Sequence, residues 1–152
     1  MTFVDFSHVG IVVADLDAAI DELVGLVGLD FERPRTESLR LRTASGTVDC
    51  TFRFTYSRSP AGVQAIELIE APSGSPWWPG DGPVVPAIHH LGFWAADFTE
   101  RVAALADGGA PVEVTVAGRE PRLFTYHQTR HGPRIELVDR ERKPDIDHWT
   151  AS

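Results

Sequence analysis

Phe6-Ser7-His8-Val9-Gly10-Ile11-Val12-Val13 and Ile88-His89-His90-Leu91-Gly92-Phe93-Trp94 are the two stretches whose reading decides the fold. Both are strand-like runs rich in branched and aromatic residues. Seven residues after His8 stands Asp15, and seven after His90 stands Asp97. Each Asp is placed to cap the N-terminus of a following helix. Behind Asp15, Leu16, Ala19, Ile20, Leu23, Val24 and Val27 form an apolar stripe at helical spacing. Behind Asp97 stand Phe98, Val102 and Leu105, with Glu100 completing a capping-box pattern. Gly28 and the Gly108-Gly109 pair are placed to end the two helices.

The two halves close alike as well as open alike. Ala65–Glu70 and Arg134–Asp139 are strand runs that share Ile-Glu-Leu. Between helix and closing strand, alternating segments at Leu39–Thr43 and Val48–Tyr56 answer to Val112–Val116 and Arg122–Gln128. Each half therefore reads β-α-β-β-β. Residues 72–86 hold five Pro and three Gly, so they make neither helix nor central strand and serve as a connector. The expectation is one α+β domain over residues 1–152. It contains a module at 1–71, the connector 72–86, a module at 87–140 and a tail at 141–152.

Composition narrows the function classes. Fourteen basic against 22 acidic residues leave a net charge of −8 over 152 residues, which disfavours nucleic acid and anionic membrane surfaces as partners. No apolar run reaches the ~20 residues of a membrane span, and the first residues lack the features of a signal peptide. Cys50 is alone, so no intrachain disulfide forms, and the cytoplasm is the expected compartment. A single lysine, Lys143 in a polar run near the C-terminus, argues against Schiff-base chemistry.

Strand parity locates the chemistry. His8 shares a face with Phe6, Gly10 and Val12, while Val9, Ile11 and Val13 face a helix. His90 shares its face with Ile88, Gly92 and Trp94, which leaves His89 on the helix side or in solvent. In both strands a Gly two positions beyond the His leaves room beside the imidazole. Glu67 and Glu136 occupy matching places in the closing strands. If the modules pack side by side about a pseudo-twofold axis, His8, Glu67, His90 and Glu136 converge. Two imidazoles and two carboxylates form a set suited to a divalent Zn, Ni, Co, Mn or Fe ion.

These residues resemble the vicinal oxygen chelate superfamily, above all its glyoxalase I-like and methylmalonyl-CoA epimerase-like members. The resemblance rests on His8-Val-Gly-Ile with the Asp15-Leu-Asp helix, Ile-Glu67-Leu, His89-His90-Leu-Gly, and Gly132 followed by Ile-Glu136-Leu. It spans residues 6 to 139. It implies paired β-α-β-β-β modules whose mixed sheet curls around a metal cleft, with His8, Glu67, His90 and Glu136 as ligands, and a homodimer. The activity implied is a metal-dependent isomerase, epimerase or lyase acting on a small oxygen-chelating carbonyl substrate through an enolate. Glu67 stands where epimerases usually have Gln, so the ligand set is closer to bacterial glyoxalase I. It also counts against an extradiol-type dioxygenase, which uses only two His and one Glu. The intact quartet counts against a non-catalytic, antibiotic-type binding protein; both remain the alternatives.

Further expectations concern the pocket. The Val48–Tyr56 run alternates an apolar set with the polar set Asp49, Thr51, Arg53 and Thr55. With the apolar set under the helices, the polar set lines the concave face. Asp49 is then the candidate general base, with Glu136 as the alternative, and Arg53 binds an anionic substrate group. Trp94 lines the pocket from the His90 face. Trp77 and Trp78 either form an apolar lid over a ligand or simply fasten the connector. The apolar groups of the tail, Ile146 to Trp149, either close the site or pack on a partner subunit.

Overall fold

The first helix begins where its capping residue dictates. The Asp15 side chain accepts a hydrogen bond from the Ala18 backbone N–H at 3.0 Å, and Gly28 ends the helix in the left-handed conformation at φ 70°. The computed structural model describes residues 5–58, 65–118 and 123–150. Their elements run β1 (Phe6–Val13), α1 (Leu16–Val27), β2 (Arg35–Thr43), β3 (Gly46–Tyr56), β4 (Ala65–Glu70), β5 (Ala87–Ala95), α2 (Phe98–Asp107), β6 (Val112–Val116), β7 (Phe124–His127) and β8 (Arg134–Asp139). A 3-10 turn at Arg140–Arg142 leads into α3 (Lys143–Thr150). The β-α-β-β-β repeat is present in both halves. Arg122, where the sequence places the start of a strand, lies outside the described residues.

The strands form a closed barrel in the order β1-β4-β3-β2-β6-β7-β8-β5. Within each module the first and last strands are parallel, β1 with β4 and β5 with β8. The modules join along two antiparallel seams, β1 with β5 and β2 with β6. Helix α1 covers the outer face of β1 and β4 through Leu16, with Val13, Phe31 and Leu68 buried beneath it. Helix α2 covers β5 and β8 in the same way through Phe98 and Val102, against Ala95 and Leu137. The largest apolar cluster fills the barrel itself, so the outward parity of Ile11 and Val13 and the inward parity of Val12 are as expected. Among the described residues, no helix is long and apolar enough to cross a membrane.

Two expectations need correcting. Cys50, Phe52, Phe54 and Tyr56 of β3 point into the barrel rather than under a helix. The helices cover β1, β4, β5 and β8, so β3 turns its polar set outward instead: Asp49 and Thr51 meet water, Arg53 is half-buried, and Thr55 is buried, its hydroxyl donating to the Glu32 carbonyl. Asp97 precedes α2 with φ −95° and ψ 68° and makes no side-chain capping bond. The tail is helical, and α3 inserts Ile146 and Trp149 into the interior cluster.

The two Asp residues make a direct test of local capping. Asp15→Ala is expected to destabilise the fold by about 1 kcal/mol, the usual cost of losing an N-cap. Asp97→Ala, with no such bond to lose, is expected to change stability by less than about 0.5 kcal/mol. Urea unfolding of both variants checks the contrast, and equal losses would contradict it.

Candidate metal centre

Four neighbouring strands each deliver one ionisable side chain to the barrel interior. Gly10 of β1 lies opposite Glu67 on one side and His90 on the other. Gly92 of β5 likewise lies opposite Glu136 and His8. Each glycine makes the space the opposing imidazole occupies. A Cβ on Gly10 would sit 2.0 Å from His90 Cε1, and one on Gly92 would sit 2.2 Å from His8 Cε1. No side chain fits at either position while the imidazoles stay in place.

The result is a tight cluster of His8, Glu67, His90 and Glu136, whose donor atoms lie within 4.8 Å of one another. His8 Nε2 is 2.9 Å from His90 Nε2, 3.3 Å from Glu67 Oε2 and 3.0 Å from Glu136 Oε2. His90 Nε2 is 3.2 Å from Glu67 Oε2 and 3.3 Å from Glu136 Oε2. His8 and His90 are completely buried. Their outward-facing nitrogens are engaged elsewhere: His8 Nδ1 lies 2.9 Å from Ser7 Oγ, and His90 Nδ1 lies 3.0 Å from His89 Nδ1.

Burial pushes the His8 pKa down, but the carboxylates of Glu67 and Glu136 more than offset it and raise it to about 10. His90 is raised against its burial by the same two groups, chiefly Glu136. Burial pushes Glu136 up, and His90 and His8 overcome this to hold it at about 2. Glu67 is drawn well below the usual carboxylate range in the same manner, chiefly by His8.

The donor set fits a divalent cation. Oε2 of Glu67 and of Glu136 is buried with no well-directed hydrogen bond among the described residues. Two buried carboxylate oxygens held against two imidazole nitrogens are costly unless a positive charge stands between them. Donor atoms of a four-coordinate site with bonds of about 2.0–2.2 Å lie roughly 3.3–3.6 Å apart, slightly wider than the spacings of 2.9 to 3.3 Å seen here. Two imidazoles with two carboxylates accept Zn, Ni, Co, Mn or Fe(II), and the donor types do not discriminate among them.

Over the cluster lies a cavity of about 30 Å³, walled by Phe52, Phe54, Trp77, Phe124 and Ile146, with Glu37 and Arg142 as polar lining. Tyr56 and Tyr126 also face it, and burial together with the two carboxylates raises both hydroxyls well above their ordinary pKa. They remain protonated donors at neutral pH. Trp77 lines the cavity and donates from Nε1 to the Tyr126 hydroxyl at 3.0 Å. Trp78 donates from Nε1 to the Gly82 carbonyl at 3.2 Å, which fastens the connector to itself. Trp77 thus lines the cavity, whereas Trp78 belongs to the connector's own fastening. Trp94 is buried in the interior cluster on the His90 face, and other residues form the cavity wall.

Asp49 and Arg53 are not in the site. Asp49 is on the outer surface, where it pairs with Arg40 at 2.8 Å across β2 and β3. Arg53 reaches from the same face to Asp17 of α1 at 3.0 Å. The base and anion-binding roles expected of them are therefore withdrawn. Glu37 is the interior carboxylate the sequence reading missed. It is in phase with Leu39 and Leu41 on β2, and extending their alternation back to Arg35 would have found it. His89 was also missed, because a register shift in β5 turns it inward.

A family model for the glyoxalase/bleomycin resistance protein/dioxygenase superfamily matches residues 7–126. No curated protein matches the chain. Among solved structures, methylmalonyl-CoA epimerase from Mycobacterium tuberculosis aligns with a TM-score of 0.60 at 19% identity, covering 90% of this chain and 88% of that one. A variant of the Streptomyces coelicolor methylmalonyl-CoA epimerase in complex with 2-nitronate-propionyl-CoA aligns at 0.60 and 21%, covering 91% and 98%. A mutant of 4-hydroxymandelate synthase from Streptomyces coelicolor aligns at 0.56 and 22%, covering 91% of this chain and 38% of that one. At these identities the likeness is one of fold.

The shifts in the cluster set a pH dependence. With its pKa raised to about 10, His8 stabilises the metal-free fold fully below its unfolded value near 6.5, and that contribution is lost as pH rises through about 10. Glu136, lowered to about 2, contributes above its unfolded value near 4.5, and its contribution is lost as pH falls toward about 2. Near pH 7 the metal-free protein therefore holds a proton on His8 that a bound ion must displace. Calorimetric titration with Zn²⁺ in buffers of different ionisation enthalpy is expected to show about one proton released per ion, with affinity falling as pH falls. Binding with no proton release and no pH dependence would contradict this.

Proposed function

The chain belongs to the glyoxalase/bleomycin resistance protein/dioxygenase superfamily, and from that premise and the cluster's geometry we propose that it is a metal-dependent epimerase or isomerase. Its substrate is a small carbonyl compound with an acidic neighbouring C–H. The observation that carries the reading is the pair of buried carboxylate oxygens that lack a well-directed hydrogen bond and crowd two imidazole nitrogens, at the floor of a cavity. A binding protein needs no such site, because burying four ionisable groups is expensive and serves no purpose in grasping an apolar drug.

His8, Glu67, His90 and Glu136 would hold the ion. Once bound, it supplies Lewis acidity to the substrate carbonyl and so stabilises charge that develops on oxygen. Glu37 is the base: it lines the cavity without belonging to the cluster, and the Arg142 guanidinium lies 3.9 Å from its carboxylate. It takes the proton from the carbon beside the carbonyl. For isomerisation Glu37 gives that proton to a neighbouring atom; epimerisation would need a second proton donor on the opposite face of the carbon, a role for which Tyr56 and Tyr126 are the protonated cavity groups. Tyr56 and Tyr126, both protonated, donate hydrogen bonds toward substrate oxygens. The apolar walls exclude water, which strengthens each of these interactions. At about 30 Å³ the cavity holds roughly one water, so admitting a substrate requires Ile146 and Trp149 of α3 to move aside.

The solved epimerases, one in complex with methylmalonyl-CoA, suggest the first substrate to try. Here, however, the cavity is walled mostly by aromatic side chains, with Arg142 as its cation among the described residues. That lining favours a compact, partly apolar substrate over a polyanionic thioester.

Incubation in heavy water separates the enzyme from a binder. Metal-loaded protein is to be incubated with methylmalonyl-CoA and with a panel of small 2-oxo and 2-hydroxy carbonyl compounds. Deuterium is expected at the carbon beside the carbonyl of at least one compound. Glu37→Gln at unchanged metal content is expected to slow that exchange roughly 10²–10⁴-fold. Undiminished exchange in this variant would move the base role to Glu136. Binding without exchange anywhere in the panel would favour the non-catalytic alternative.

A further inference from the structure

Strand β5 carries one residue more than β1 between paired positions. Gly10 stands opposite His90 and Ile11 opposite Ile88, so His89 is the extra residue of a β-bulge. A bulge breaks the alternation of faces. Ile88 is thrown outward and is 66% exposed, whereas His89 turns in with His90 and is 7% exposed. The His89 ring meets His90 and Tyr126 edge-on, with centroids 5.3 and 5.1 Å away.

His89 Nδ1 lies 3.0 Å from His90 Nδ1. At that distance one ring donates and the other accepts. Only when His90 is the donor does its Nε2 keep a lone pair directed at His8, Glu67 and Glu136. His89 is then required to carry its proton on Nε2. That nitrogen is buried with no well-directed hydrogen bond, and the backbone the His89 ring approaches is that of Pro76. Proline has no N–H and offers only a carbonyl, which accepts. Such a neighbour can accept a proton from His89 Nε2 but cannot donate one to it, which is compatible with Nδ1 acting as the acceptor. The other half of the cluster lacks this arrangement: His8 Nδ1 meets the Ser7 hydroxyl, which either donates or accepts.

We propose that His89 is a positioning residue for the metal centre. Its Nδ1 accepts the Nδ1–H of His90 and fixes His90 in the tautomer and ring orientation whose Nε2 binds a divalent ion. This rests on the metal-dependent reading above but concerns a residue outside the quartet. The bulge thus has a function: it places an acceptor behind a ligand without using another strand.

Cobalt(II) titration of the full chain, followed by visible absorption, tests this without reference to activity. His89→Phe keeps the ring volume and removes the acceptor. His89→Asn places an amide oxygen close to where Nδ1 stood, whereas His89→Gln carries it one bond too far. The Phe and Gln variants are expected to bind Co²⁺ about 10–100-fold more weakly, with altered band intensity, and Asn within about threefold of the parent. A Phe variant that binds as tightly as the parent would reduce His89 to packing and overturn the inference. So would an Asn variant as weak as Phe while retaining the parent's thermal midpoint. If the Phe variant fails to fold by circular dichroism, the Asn and Gln pair, alike in polarity, carries the comparison, and equal affinities there overturn the inference. Absence of Co²⁺ binding by the unmodified protein would overturn the metal-dependent reading itself, and is seen before any variant is made.

Discussion

Across the β1–β5 seam, each strand gives up a side chain so that the other can place an imidazole. Gly10 faces His90 and Gly92 faces His8, and a methyl group at either glycine would occupy the same space as the ring. The rest of the site follows from this exchange. Because β4 lies parallel to β1 and β8 parallel to β5, the two closing strands deliver Glu67 and Glu136 to the same level of the barrel. Shifting the seam by one residue would turn both imidazoles out of the interior. Mutual attraction offsets part of the cost of burying four ionisable groups: each carboxylate is depressed by the imidazoles and each imidazole is raised by the carboxylates.

Where the sequence revealed this arrangement, it did so through periodicity repeated in two copies. His8, Gly10 and Val12 alternate with Val9, Ile11 and Val13 once past the irregularity between Phe6 and His8, so parity alone placed them. In β5 the same reasoning misplaced His89 and Ile88, because a bulge carries no local signature in Ile-His-His-Leu. The error in β3 had a different cause. Its alternation was read correctly, but which face was inner depends on where the helices lie, and they cover β1, β4, β5 and β8. With water outside β3, the set Cys50, Phe52, Phe54 and Tyr56 has to face inward, and Asp49 and Arg53 outward. Glu37 escaped notice because a Glu between an Arg and a Leu looks like a solvated strand end. It lines the interior only because β2 extends back to Arg35.

The interior is thus divided between a charged floor and an aromatic roof. Phe52 and Trp77 lie 4.4 Å apart between ring centroids, and Trp149 of α3 meets Phe54 and Tyr56 at 5.5 and 5.6 Å. Outside the barrel, α3 is held by Arg35, which stacks 3.9 Å over Trp149 and pairs with Asp145 at 3.0 Å. Such exposed contacts contribute about 0–1 kcal/mol each. Burial of Ile146 and Trp149 contributes roughly 1.5–3 kcal/mol apiece and dominates the closure.

Every role proposed for the cavity depends on the cluster being a metal site, and metal content tests that most directly. Elemental analysis of the full chain, purified without chelator and then reconstituted separately with Zn²⁺, Ni²⁺, Co²⁺, Mn²⁺ and Fe²⁺, is expected to find about one equivalent of a divalent ion per chain. It is also expected to find that His8→Ala and Glu67→Ala each lower that content. Less than about 0.2 equivalents of every ion after reconstitution, in protein that remains folded, would contradict it.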